Sequence, residues 1–144
     1  MLKSEKVFVL DTAVFLNAGT VPDRGLLYTT PDVDLEVKNA DSKAIFDNAI
    51  QTRGLRIEKS SVQSLKEVDS LRIKIRDTKL SQTDCGVIAL AMDLAGKKMN
   101  PTVLTDDYSI QNACRHARIM CEGVIMGTIK RKKQFAKKNG KNNG

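Results

Sequence analysis

Residues 81–118 read SQTDCGVIALAMDLAGKKMNPTVLTDDYSIQNACRHAR, a helix, a strand and a second helix in one pass. Ser81 with Asp84 three positions later forms a capping-box start, apolar residues then recur at helical spacing, and Gly96 closes the run. PTVLT at 101–105 is a short run of strand type, and the adjacent Asp106 and Asp107 open the helix DDYSIQNACRHAR. One aspartate there is ordinary helix capping; the second needs another reason.

The same alternation continues outward. KVFVL at 6–10 reads as a buried strand, and DTAVFLNAG continues as a helix that Gly19 ends, with Asp11 at the corner. LLYTT at 26–30 is a short extended piece, and Pro31 suits the first turn of a helix running through Val37. SKAIFDNAIQTRG at 42–54 is helical and closed by Gly54, after which LRIEK at 55–59 alternates like a strand. Residues 61–77 carry a mostly helical pattern that blurs towards alternation at LRIKI, and IMCEGVIMGTI at 119–129 supplies a last strand. Strands alternating with helices predict an α/β fold with a parallel sheet covered on both faces, because right-handed crossovers place the helices there.

Composition narrows the classes. A chain of 144 residues suits one domain, which buries about two-thirds of its unfolded surface and needs no staples. No apolar run approaches the roughly 18 residues of a membrane span, and VFVLDTAVFLNAG, the best secretory candidate, is interrupted by Asp11. Cys85, Cys114 and Cys121 form no CxxC pair and read as buried free thiols in a reducing cytoplasm. Seven of the 24 basic residues and none of the 17 acids fall after residue 129, so residues 1–129 form a neutral body and 130–144 a basic, flexible tail. Solvation alone accounts for such a tail; the functional alternative is contact with a polyanion through Lys130, Arg131, Lys132, Lys133, Lys137 and Lys138. With Phe135 its sole aromatic, the tail suits phosphates rather than base stacking. His116 lies in mid-helix with no nucleophile triad around it, and no glycine-rich phosphate loop supports nucleoside triphosphate hydrolysis.

The acids then stand out by position. In a parallel sheet the C-terminal ends of strands share one edge with the N-terminal ends of the following helices, and ligands bind there. Asp11, Asp84, Asp106 and Asp107 all fall on that edge, and Glu36, about one turn past Pro31, can lean over it. Singly, each reads as a helix cap or a group favoured by the helix dipole. Jointly, carboxylates at neighbouring strand ends repel one another, and a hard divalent cation offsets that repulsion while bridging carboxylates to a substrate phosphate.

VLDTAVFLN at 9–17, LEV at 35–37, LSQTDCGVIALA at 80–91 and VLTDDYSIQNA at 103–113 together resemble the PIN-domain ribonucleases. YTTPDVDLEVK, LSQTD and LTDDYSIQN resemble in particular the archaeal branch related to the endonuclease that trims the 3′ end of small-subunit ribosomal RNA. The resemblance implies a three-layer α/β/α sandwich and cleavage of single-stranded RNA by an activated water with Mg²⁺ or Mn²⁺. It implies a metal site of Asp11, Glu36, Asp84 and Asp106, with Asp107 as a further ligand or outer group and Thr12, Thr83, Thr105 and Asn112 as supporting hydrogen-bonders. Asp32 and Asp34 are alternatives to Glu36 on the same helix. The implied partner is ribosomal RNA or a pre-ribosomal particle, with a homodimer compatible and no membrane. Proteins of that branch carry a zinc ribbon after the catalytic domain, where this sequence has its lysine-rich tail. The competing readings are a toxin ribonuclease of a toxin–antitoxin pair, which uses the same acids, and a non-catalytic RNA-binding module, in which the acids are caps.

Overall fold

The computed structural model describes residues 5–18 and 21–124. Five strands form one parallel sheet in the order β3-β2-β1-β4-β5: β1 is Val7–Leu10, β2 Leu26–Thr29, β3 Arg56–Ile57, β4 Pro101–Leu104 and β5 Met120–Glu122. The helices are α1 Pro31–Glu36, α2 Ala40–Arg53, α3 Val62–Lys74, α4 Gln82–Gly96 and α5 Tyr108–Ala117. From β1 the chain steps outward to β2 and β3, then crosses back to β4 and β5. Right-handed crossovers therefore put α1 and α2 on one face and α3, α4 and α5, which pack on one another, on the other. This is the expected α/β/α sandwich.

Local chemistry explains the element boundaries. Each long helix starts on a side chain that accepts one of its own unpaired amides: Asn39 for α2, Ser61 for α3, Ser81 for α4 and Asp107 for α5. Thr30 does the same for α1, with Pro31 in the first turn. Gly54 ends α2 in the left-handed conformation at φ 63°. At Gly25, φ is 85° and an added Cβ would lie 2.6 Å from the Lys6 carbonyl oxygen, which already accepts the Leu26 amide.

The central strands are buried along their whole length, as befits a sheet covered on both faces. Val9 and Leu10 of β1, Val103 of β4, Val87 and Ile88 of α4 and Ile110 of α5 meet in the core, and Phe15 packs against Phe46 of α2 with ring centroids 4.9 Å apart and planes tilted by 55°.

Some boundaries differ from the sequence expectation. LRIEK contributes only Arg56 and Ile57 to the sheet, since β3 is an edge with one neighbour and both residues face solvent. LRIKI, where alternation blurred the pattern, is the last turn of α3 and its cap Ile75; the helix overrides the alternation and leaves Ile73 exposed. The helix after Asp11 opens into a single wide turn at Val14–Ala18. Cys114 is buried, whereas Cys85 and Cys121 are only partly so, and all three are free thiols. The basic tail, and the part of 119–129 beyond Val124, lie outside the described residues. No helix among the described residues is long and apolar enough to cross a membrane.

Candidate active site

The C-terminal edge of the sheet gathers the acids. Asp11 follows β1, its amide bonded to the Leu104 carbonyl of β4 at 3.1 Å, so the central pair of strands ends in register beneath it. Its carboxylate is the buried one of the set, 6% exposed, and accepts the Thr105 hydroxyl at 2.7 Å through Oδ2. Thr105 is itself buried and fixed: its amide donates to the Glu122 carbonyl, and its carbonyl accepts Gln111 Nε2 at 3.0 Å. On the other flank the Thr29 hydroxyl donates to the Leu10 carbonyl at 2.7 Å, tying β2 to the last residue of β1.

Glu36 reaches the edge from α1. Thr12 donates to its Oε1 at 2.9 Å and Thr83 to its Oε2 at 2.7 Å, so the carboxylate spans from the turn after β1 to the first turn of α4. The two alternatives on α1 are placed differently: Asp34 pairs with Lys43 at 3.0 Å, and Asp32 makes no ion pair among the described residues. Asp84 sits in the first turn of α4, its Oδ2 accepting the Ser81 amide at 2.9 Å and its own amide donating to Ser81 Oγ at 3.1 Å. Asp107 caps α5 through Oδ1, accepting the amide of Ser109 at 2.7 Å, while its amide donates to Thr105 Oγ1 at 3.1 Å. Asp106, between Thr105 and Asp107, is half-buried. Asn112 is half-buried on α5 and makes no side-chain hydrogen bond among the described residues; its neighbour Gln111 does the bracing. His116 is exposed near the far end of α5.

These acids feel one another. Burial pushes the Asp11 carboxyl up to about 6 against the pull of the Thr105 and Thr12 hydrogen bonds, and the negative charges of Asp84 and Asp107 add to the rise. Asp84 is also raised, by burial first, with Asp107 and Glu36 contributing and Ser81 opposing. Asp11, Glu36, Asp84 and Asp107 make no ion pair with a basic side chain among the described residues.

An all-oxygen, anionic and uncompensated set is the donor chemistry of a hard divalent cation. Among the described residues, no three His, Cys, Asp or Glu side chains stand close enough together to share one ion as they are. A Mg²⁺-type ion does not need such a cage, since it keeps several waters and takes one or two carboxylates plus substrate phosphate.

Two signals escaped the sequence reading. Thr29 and Gln111 brace the ends of β1 and β4 through backbone carbonyls, and nothing in LLYTT or YSIQN distinguishes such threonines and glutamines from surface ones.

The family model described as the PIN domain of ribonuclease matches residues 8–94, a span that holds Asp11, Glu36 and Asp84 and stops before Asp106. Endoribonuclease Nob1 of Methanothermobacter thermautotrophicus is 36% identical over 123 residues, covering 85% of this chain and 71% of its own length. Endoribonuclease Nob1 of Methanocaldococcus jannaschii is 34% identical over 83% of this chain, which spans only 57% of that relative. Ribonuclease VapC3 of Aeropyrum pernix is 32% identical over 74% of this chain and 77% of its own length.

Proposed function

The chain belongs to the PIN-domain ribonuclease family and is an endoribonuclease, and from that premise we propose that it cuts single-stranded RNA with Mg²⁺ or Mn²⁺ and an activated water, in the maturation of ribosomal RNA. The observation that carries the reading is Asp11: a buried carboxylate with acids for charged neighbours and no basic partner among the described residues, at the carboxyl end of the central strand.

Asp11, Glu36, Asp84 and Asp106 would hold the cation, with Asp107 beside them. When bound, such an ion stabilises charge developing on the phosphodiester and lowers the pKa of water at the site. The chain's own residues supply the rest. Thr105 fixes the rotamer of Asp11 through Oδ2. Thr12 and Thr83 hold Glu36 by one oxygen each, so each oxygen retains acceptor capacity. Ser81 holds Asp84 by Oδ2 through its backbone amide. Such outer hydrogen bonds typically set activity or metal affinity by about 10- to 100-fold.

The setting in ribosomal RNA, and a ribosomal particle as partner, rest on the Nob1 relatives, which match more of this chain at higher identity than VapC3 does. The toxin reading keeps the same acids and is favoured if a small antitoxin reading frame lies beside the gene. The basic residues 130–138 would add affinity for RNA phosphates, and a cytoplasmic location accords with such a substrate.

The test is cleavage of end-labelled single-stranded RNA with Mn²⁺, including a fragment spanning the 3′ end of small-subunit ribosomal RNA. Wild type is expected to give discrete products that Asp11→Asn/Asp106→Asn protein does not. Identical fragments from both proteins, or none from either, would overturn the reading; salt-sensitive binding without cleavage would mark a binding module instead.

A further inference from the structure

Phenylalanine and tyrosine rings in the described part of the chain are hidden, with one exception. Phe8, Phe15, Tyr28 and Phe46 are at most 7% exposed, whereas Tyr108 is 70% exposed. Its ring makes no ring or cation contact among the described residues and its hydroxyl no hydrogen bond. It is not a loosely held residue. Tyr108 opens α5 directly after Asp107, and the next two residues, Ser109 and Ile110, are buried with their amides bound to Asp107 Oδ1. A bare aromatic face is thus mounted on a rigid first turn, one residue from the carboxylate that raises both Asp11 and Asp84.

A strand whose phosphate is drawn to these acids through a cation must carry a base beside them. Stacking suits that base without regard to its identity, because every nucleobase has a π face. An aliphatic neighbour such as Leu35, 70% exposed and next to Glu36, offers area but no such face. We propose that Tyr108 is the stacking platform for the nucleobase adjoining the scissile phosphate, an inference that rests on the endoribonuclease reading of the neighbouring acids.

Binding of a labelled oligouridylate is measured by fluorescence anisotropy with Ca²⁺ in place of Mn²⁺, and cleavage is measured separately with Mn²⁺. Tyr108→Ala is expected to weaken binding by about 5- to 150-fold, the range of a single base–aromatic stack, and Tyr108→Phe to restore it. Val62→Ala, which trims an exposed apolar side chain at the start of α3, is expected to bind as wild type does. A single abasic nucleotide walked along the RNA is expected to weaken wild type at one position and to have no effect there on Tyr108→Ala. Wild-type affinity in Tyr108→Ala, equal damage in Tyr108→Phe, or an abasic penalty that survives in Tyr108→Ala would each overturn the assignment. The two readings fail separately: RNA cleavage without Tyr108–abasic coupling removes the platform and keeps the nuclease. Coupling without cleavage removes the nuclease and leaves a stacking surface.

Discussion

Helix α4 carries one aspartate near each end, and the two sit in opposite circumstances. Asp93, near the C-terminal end, accepts the Ser61 amide at 2.6 Å, the Ser61 hydroxyl at 2.7 Å and the Ser64 hydroxyl at 2.6 Å. Burial raises its carboxyl, but those hydrogen bonds and nearby Lys97 more than offset the rise and hold it below the usual carboxylate value. Asp84, at the start of the helix, also has a serine partner, yet burial and two further acids hold it above. The residue type is the same; the company differs. At one end the fold has satisfied a charge and used it to fasten α3 to α4. At the other it has left charges in conflict, and Asp11, pushed up chiefly by burial, is raised further by that conflict.

Substitution at the two sites is the way to break this contrast. The largest expected effect is on catalysis: Asp11→Asn should lower the initial rate of RNA cleavage with Mn²⁺ by more than about a hundredfold, since even outer partners of metal sites are worth about 10- to 100-fold. Asp93→Asn should leave the rate at the wild-type level, and a crippled Asp93→Asn enzyme would erase the distinction.

Stability should move the other way, as measured by urea unfolding in chelator. The Asp11 carboxyl binds its proton more tightly in the folded state, at about 6 against the ordinary 3.8. Its cost to the fold is therefore absent below pH 3.8, grows through that window and is complete above pH 6, where it amounts to about 3 kcal/mol. Asp11→Asn should raise stability by up to that amount at pH 8 and by nothing at pH 3.5. Asp93 has the opposite sign: its lowered carboxyl stabilises the fold above the unfolded value, and the contribution is lost as pH falls through the folded one. Asp93→Ala should cost about 1–3 kcal/mol at pH 8, from the amide and hydroxyls left unpaired. A gain in stability from Asp93→Ala would show that it belongs with the acids of the other end.

Thr83→Val tests the conflict one shell out. Removing the hydroxyl that holds Glu36 Oε2 should lower Mn²⁺-dependent cleavage by about 10-fold or more with the fold intact by circular dichroism. The smallest effect belongs to Ser81→Ala, which removes half of the capping box and should cost about 1 kcal/mol in urea unfolding. Because the Ser81 hydroxyl adds to the retained Ser81 amide in holding the Asp84 carboxyl down, its loss should shift the acid limb of the pH–rate profile slightly to higher pH.

Much of this was legible in the sequence because it is local. Ser81 with Asp84, Pro31 after Thr30, and Asp107 before Tyr108 write helix starts into three or four residues, and a parallel sheet then brings every such start to one edge. What was not legible is what spans distance. Glu36 is positioned by hydroxyls 24 and 47 residues away in the chain, so LEV alone could not separate it from Asp32 or Asp34; Lys43, nine residues on, engages Asp34. Asn112 and Gln111 are equally polar on paper, and only the turn of α5 over Thr105 decides which one reaches a carbonyl. The paired aspartates do not divide capping and repulsion between them: Asp107 caps α5 and also repels Asp11 and Asp84, so both occur in one side chain.

Glu36 joins α1, on one side of the sheet, to the first turn of α4, on the other, through the Thr83 hydroxyl, and to the turn after β1 through the Thr12 hydroxyl. That makes it a clasp over the rim of the sandwich. Any ligand that recruits its oxygens must loosen or share the clasp, so arrival of an ion would be sensed by both outer layers at once. Amide exchange at α1 and at the opening turn of α4 should therefore change together, while the strands between them stay silent.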